Sequence, residues 1–280
     1  MYASHTEFLE SANMSWARST MPLFALLALC CGCGYSEYEA RLNESRKYYA
    51  YLDKIEQSLA PKWTVAGNLI ELRVPLQFTL IPPAAPIQKE DGTIEQPTID
   101  PRQPDYLNLT FPELFGAWES TFQVGKGNGV TENHKGYIYA LSNYWELAGE
   151  HATDAGEFVN ALKTYLSDRL QIPVTDEAPQ LHPKVSPSYQ AQAAFDVCSF
   201  KGKEIDGTNY TFEVYSKKLG SVIGVLVVVL PEGIENAQKV NERIPLMLES
   251  FNFTSVPPKA GADKNAPAQG NPAVVPNAGF

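Results

Sequence analysis

The stretch SVIGVLVVVLP, residues 221 to 231, holds one polar side chain, Ser221, and is dominated by β-branched residues. It is far shorter than the ~20 residues of a membrane-spanning helix. A nearly continuous apolar run of this length is expected of a central strand covered on both faces. Two further β-rich runs, near 191 to 201 and 208 to 217, precede it, separated by the turn sequences KEIDG and KKLG. Together they predict an antiparallel meander. A helix is expected over Glu235 to Ser250, where Ala237, Val240, Ile244, Met247 and Leu248 recur at helical spacing and Pro245 marks a kink. The following FNF at 251 to 253 reads as a short closing strand.

Upstream, Phe158, Leu162, Tyr165, Leu166 and Leu170 share one face of a helix expected from Asp154, its cap, to Leu170. Short strands are expected over Tyr106 to Leu109, Trp118 to Val124 and Gly136 to Leu141, with GKGNG at 125 to 129 as a hairpin turn. Gly125, Gly127 and Gly129 with Lys126 do not make a phosphate loop, because neither GKS nor GKT follows. Residues 82 to 105 carry six prolines and read as a long exposed loop in which neither helix nor central strand persists. NLIELRVPLQFTLIPP, from Asn68, alternates apolar and polar and reads as a strand or bent strand pair with Pro75 at the bend. A stalk helix is expected to start at Ser36, with Glu39 completing a capping box, and to stop at Pro61. Tyr38, Leu42, Tyr49, Leu52, Ile55 and Leu59 form its stripe, which serves either for packing on its own domain or as a partner helix.

Hydrophobic residues at 44% and charged residues at 19% suit a globular chain, and a net charge of -10 argues against nucleic acid as a partner, since phosphate binding relies on clustered Lys and Arg. From Val256 the chain turns to Pro, Ala, Gly and Asn and is expected to be disordered.

At the other end, PLFALLALCCGCG (22 to 34) is an apolar run flanked by Arg18, Ser19 and Thr20 and followed by the polar SEYEARLNESRKYY. Translation from Met14 would give it a better export signal than Met1, whose neighbourhood carries Glu7 and Glu10. The run resembles a bacterial lipoprotein signal, in which a small residue precedes the cysteine that is lipidated and becomes the new N-terminus. Gly32 before Cys33 makes Cys33 the first choice for lipid attachment and Cys31 the second. Gly34, where many Gram-negative inner-membrane lipoproteins carry Asp, implies outer-membrane attachment under that sorting rule. The resemblance implies a signal peptide over 1 to 32 and a lipidated N-terminus with stalk helix over 33 to 64. It places the chain in the cell envelope, facing the periplasm or exterior, bound to the membrane through lipid. A Cys-x-Cys metal half-site at Cys31 and Cys33 lacks its second pair of ligands, so no metal or cofactor is expected. Cys198, alone in AFDVCSF, reads as a buried small hydrophobe.

The order of elements, from IELRVPLQF through helix and three-stranded meander to a helix ending in ESFNF, is similar to that of PsbP-like domains over residues 65 to 254. This resemblance implies a single α+β domain, an antiparallel β-sheet covered by helices in an α/β/α sandwich, and transfers no functional residue. The proline loop at 82 to 105 departs from the compact family pattern.

For chemistry, the histidines beyond His5 (His134, His151 and His182) fall in separate expected loops, where such side chains usually face solvent. There is no G-x-S-x-G elbow. Glu150, His151 and Asp154 would give an acid/base cluster on folding, although a polar loop leading into a helix explains them equally. The sequons at Asn43, Asn108, Asn209 and Asn252 are incidental in a bacterial protein. The expectation is a tethered binding or assembly-accessory domain with a protein partner in the envelope and no catalysis. The alternative is an envelope hydrolase using His151 with Glu150 and Asp154.

Overall fold

The computed structural model describes residues 35–65, 69–85, 87–88, 93–95, 99–125, 130–148, 154–234 and 238–259. They divide into two units between Lys54 and Ile55. The first is the greater part of helix α1 (Tyr35–Ser58). Its start lies one residue before Ser36, which therefore sits inside the helix instead of capping it. Of the expected stripe, Tyr38, Leu42 and Tyr49 are exposed, whereas Ile55 and Leu59 are buried.

The second unit has an α+β fold built on an antiparallel sheet. Its eight strands run in the order β3 (Thr79–Leu80), β6 (Leu114–Gly125), β7 (Thr131–Ser142), β12 (Val222–Pro231), β11 (Thr208–Leu219), β10 (Ala193–Ile205) and β8 (Thr175–Asp176), with β9 (Gln180–His182) pairing to the same edge of β10. β10, β11 and β12 form the expected meander, and the β10–β11 turn is the two-residue Asp206-Gly207, with φ of 50° and 75°. Both positive values match the hairpin turn that Asp-Gly favours. β12 is the centre: it pairs with β11 on one side and with β7, about eighty residues away in the chain, on the other. All but one of its residues are buried, the burial that its unbroken apolar run requires.

Helix α2 (Ala155–Leu170) covers one face. Phe158, Leu162, Leu166 and Leu170 form a core with Ile223, Val225, Val227 and Val229, the alternate residues of β12. Asp154 caps this helix as expected, its Oδ1 accepting from Gly156 N at 2.7 Å. The opposite face carries helix α3 (Val240–Ser250) and a small sheet ordered β1 (Trp63–Val65), β2 (Ile70–Leu72), β13 (Asn252–Phe253). A Cβ on Gly224 of β12 would lie 2.6 to 2.8 Å from the rings of Phe251 and Phe253, so glycine is what allows this layer to seat. Trp63 of β1 meets Trp118 of β6 edge to face at 4.8 Å, and Gln238, just before α3, donates to and accepts from the backbone of Gln123 on β6.

Several local expectations are corrected. Residues 106 to 108 form turns and Leu109 is irregular, so no strand forms there, with Asn108 at φ 50°. Their apolar side chains have no β partner, and Leu109 is spent in the α2 core. The proline loop holds two short strands, β4 (Ile87–Gln88) and β5 (Ile94–Glu95), paired with each other. Proline bars a central strand, not an isolated ribbon. The segment around Pro75 is a bent pair whose halves go to different sheets, β2 to the small one and β3 to the edge of the large one. Pro245 lies within α3, which begins at Val240. The expected disordered tail from residue 260 onward lies outside the described residues.

Candidate functional site

Of the residues singled out from the sequence, Cys33, Cys31, Glu150 and His151 lie outside the described residues. Asp154 is described, and the oxygen it offers is engaged by the first turn of α2. The two described histidines are neither in loops nor solvent-facing. His134 is on β7, its Nε2 3.0 Å from Thr208 Oγ1 and 3.3 Å from Glu132 Oε2. His182 is on β9, 2% exposed, with Phe195 edge-on at 5.8 Å. Cys198 is buried on β10 as expected, and burial first of all pushes its thiol up to about 11, which keeps it protonated and unreactive.

Among the described residues, open cavities of similar size include the following three. One of about 360 Å³ lies beside the start of α2 and is lined by Lys163, Asp176, Glu177, Asp196 and Lys218. Two of its charges pair, Lys163 Nζ lying 2.6 Å from Asp176 Oδ1, and Glu177 Oε1 accepts from Ser199 at 2.9 Å. A second, of about 320 Å³, lies between α3 and the end of β12, beside Lys201, Glu213 and Glu232.

The third, about 300 Å³, combines aromatic walls with several polar groups that have no hydrogen-bond partner among the described residues. It is lined by Tyr106, Tyr137 and Tyr210, with Asn133, His134, Lys135 and Asp206 at its edge. Three segments build it. β7 brings Asn133, Lys135 and Tyr137 on alternate positions, which places them on one face of the sheet. β11 brings Tyr210 from beside the Asp206-Gly207 turn, and the turns before Leu109 bring Tyr106. Tyr106 stacks on Tyr137 with centroids 4.8 Å apart and planes at 24°, and its hydroxyl lies 3.0 Å from that of Tyr139. This fixes the wall before any ligand arrives. The Tyr137 and Tyr210 hydroxyls, the Asn133 amide and the Asp206 carboxylate make no hydrogen bond to other described residues.

The electrostatics lean negative. The Tyr137 phenol is pushed up to about 12, first by burial and then by the carboxylates of Asp105, Glu119 and Asp206. Tyr210 is likewise raised to about 12 by burial, then by Tyr137 and Asp206. Lys135 is engaged by Glu119 at 2.8 Å on the rim. Sequence reading did not find this cavity. Tyrosines far apart in the chain, read individually, are ordinary core residues, and no spacing rule links Tyr106 to Tyr210.

Among the described residues no three His, Cys, Asp or Glu side chains are grouped to hold a metal ion, and no described helix is long and apolar enough to cross a membrane.

No family model matches the chain, and no curated protein matches it. Among solved structures, one from Bacteroides thetaiotaomicron is similar over 71% of this chain and 49% of that one, at 10% identity and a TM-score of 0.34. The chain thus spans about half the length of that structure, and a likeness so slight carries no argument.

Proposed function

We propose that this is a lipid-anchored bacterial cell-envelope protein, tethered through Cys33, whose α+β domain binds a ligand or partner at the membrane surface. The observation that carries this reading is the apolar run ending in CCGCG, with Gly32 before Cys33 and an abrupt polar switch after it. Diacylation supplies the second hydrocarbon chain that stable anchoring needs, each buried methylene contributing ~0.8 kcal/mol. Gly34, in place of Asp, favours the outer membrane where Gram-negative sorting applies. The described part of helix α1 begins at Tyr35. Its exposed side chains Tyr35 and Tyr38 are of the kind that settle at headgroup level.

In cells of a Gram-negative host, wild-type protein should pellet with membranes, and Cys33→Ser should move most of it to the soluble fraction while Cys31→Ser does not. Intact mass should show a mature chain beginning at an acylated Cys33. A soluble, unacylated wild-type chain refutes the anchor, and release by Cys31→Ser alone moves the anchor to Cys31.

A further inference from the structure

The tyrosine-lined cavity is suited to one class of ligand. Its wall is rigid, because Tyr106 and Tyr137 are stacked and Tyr106 is tied to Tyr139. Aromatic rings carry a negative face and attract cations. The polar groups left at the edge, the Asp206 carboxylate, the Asn133 amide oxygen and the Tyr137 and Tyr210 hydroxyl oxygens, can all accept a hydrogen bond. The charges add in the same sense. Asp105, Glu119 and Asp206 act on Tyr137, against one lysine, Lys135, which Glu119 holds at 2.8 Å. An anion would meet repulsion here, and a neutral ligand would gain nothing from the exposed carboxylate of Asp206. An alkylammonium answers both the rings and the acceptors. At about 300 Å³ the space is at the small end of ligand pockets.

We infer that the cavity between Tyr106, Tyr137, Tyr210 and Asp206 is a binding site for a small organic ammonium ion. Its N–H groups donate to Asp206 and the tyrosine hydroxyls, and its alkyl part lies along the aromatic wall. The inference is independent of the lipid anchor: each fails or stands by a different measurement.

The test uses the full-length protein, with butan-1-ylammonium as probe and butan-1-ol as the matched neutral control, followed by NMR shift perturbation. The ammonium should bind at about millimolar strength, as a ligand of five non-hydrogen atoms allows, with shifts centred on Tyr137, Tyr210 and Asp206, and butan-1-ol should bind at least tenfold more weakly. Asp206→Asn is the variant of choice, because asparagine tolerates the φ of 50° at this turn. It should weaken binding about fivefold, as expected for the loss of one unit charge acting across about 4 Å through water, since Asp206 is exposed. Lys135→Gln removes the opposing charge and should tighten binding about twofold. A purely structural role for these residues would not give opposite signs. Equal binding of butan-1-ol, no binding of either probe, or shifts in the same direction from the two variants would overturn the proposal.

Discussion

His182 shows how far a side chain's neighbourhood departs from what its sequence context suggests. Read as a loop residue, it sits instead on a three-residue strand with 2% of its surface exposed. Its Nδ1 has no hydrogen-bond partner among the described residues, and its Nε2 lies 3.3 Å from Gln180 Oε1. Burial, and secondarily the charge of Lys184, holds its pKa below the ordinary 6.5. The unfolded chain therefore binds this proton more readily than the folded one. Stability is complete above about pH 6.5 and falls as pH drops from there through the lower folded value. Urea unfolding at pH 7.5 and pH 5 should show wild type losing more stability toward acid than His182→Asn, which cannot take up the proton. Parallel losses in the two proteins would remove His182 from the acid response.

Helix α2 is where local sequence and final structure agree most closely. Asp154 at the cap, the apolar positions 158, 162, 166 and 170 on one face, and the stop after Leu170, with Gln171 in left-handed conformation, all follow from rules that act within four residues. Replacing Asp154 by Ala should cost about 1 kcal/mol in denaturant unfolding, and Asp154→Asn, still an acceptor for the Gly156 amide, should restore most of it. A loss that Asn fails to restore would mean that the charge of Asp154, not its cap, matters. The long strands were legible for the same reason, through alternation or an unbroken apolar run. Two- and three-residue strands such as β8 and β9 were not, since so few positions carry no period, and their hydrogen bonds come wholly from β10. In α1 the periodicity was present, yet Tyr38, Leu42 and Tyr49 remain exposed. Spacing defines a face without saying whether anything covers it.

The layering of the domain depends on a few small residues that let its parts approach. Gly224 lies on the central strand directly beneath Phe251 and Phe253, the residues that lead from α3 into the small sheet. Gly224→Ala should therefore destabilise the domain by about 1 to 3 kcal/mol, the usual cost of overpacking a filled core. The fall should appear by both near-ultraviolet and far-ultraviolet circular dichroism at one midpoint, since sheet and covering layer would yield together. An unchanged midpoint would show that the aromatic pair can move aside.

From its sequence alone the chain determined its helices α2 and α3, the β10 to β12 meander with its Asp-Gly turn, and the need for cover on both faces of the VIGVLVVVLP strand. These rest on interactions between residues a few positions apart, which composition and spacing record directly. Only the tertiary structure decided that β7 pairs with β12, that the two halves of the segment around Pro75 part to different sheets, and that three tyrosines from three segments meet over one cavity. Strand partnership and cavity walls are set by which distant surfaces bury each other best. That choice depends on the summed packing of the whole core, and no short stretch of the chain contains it.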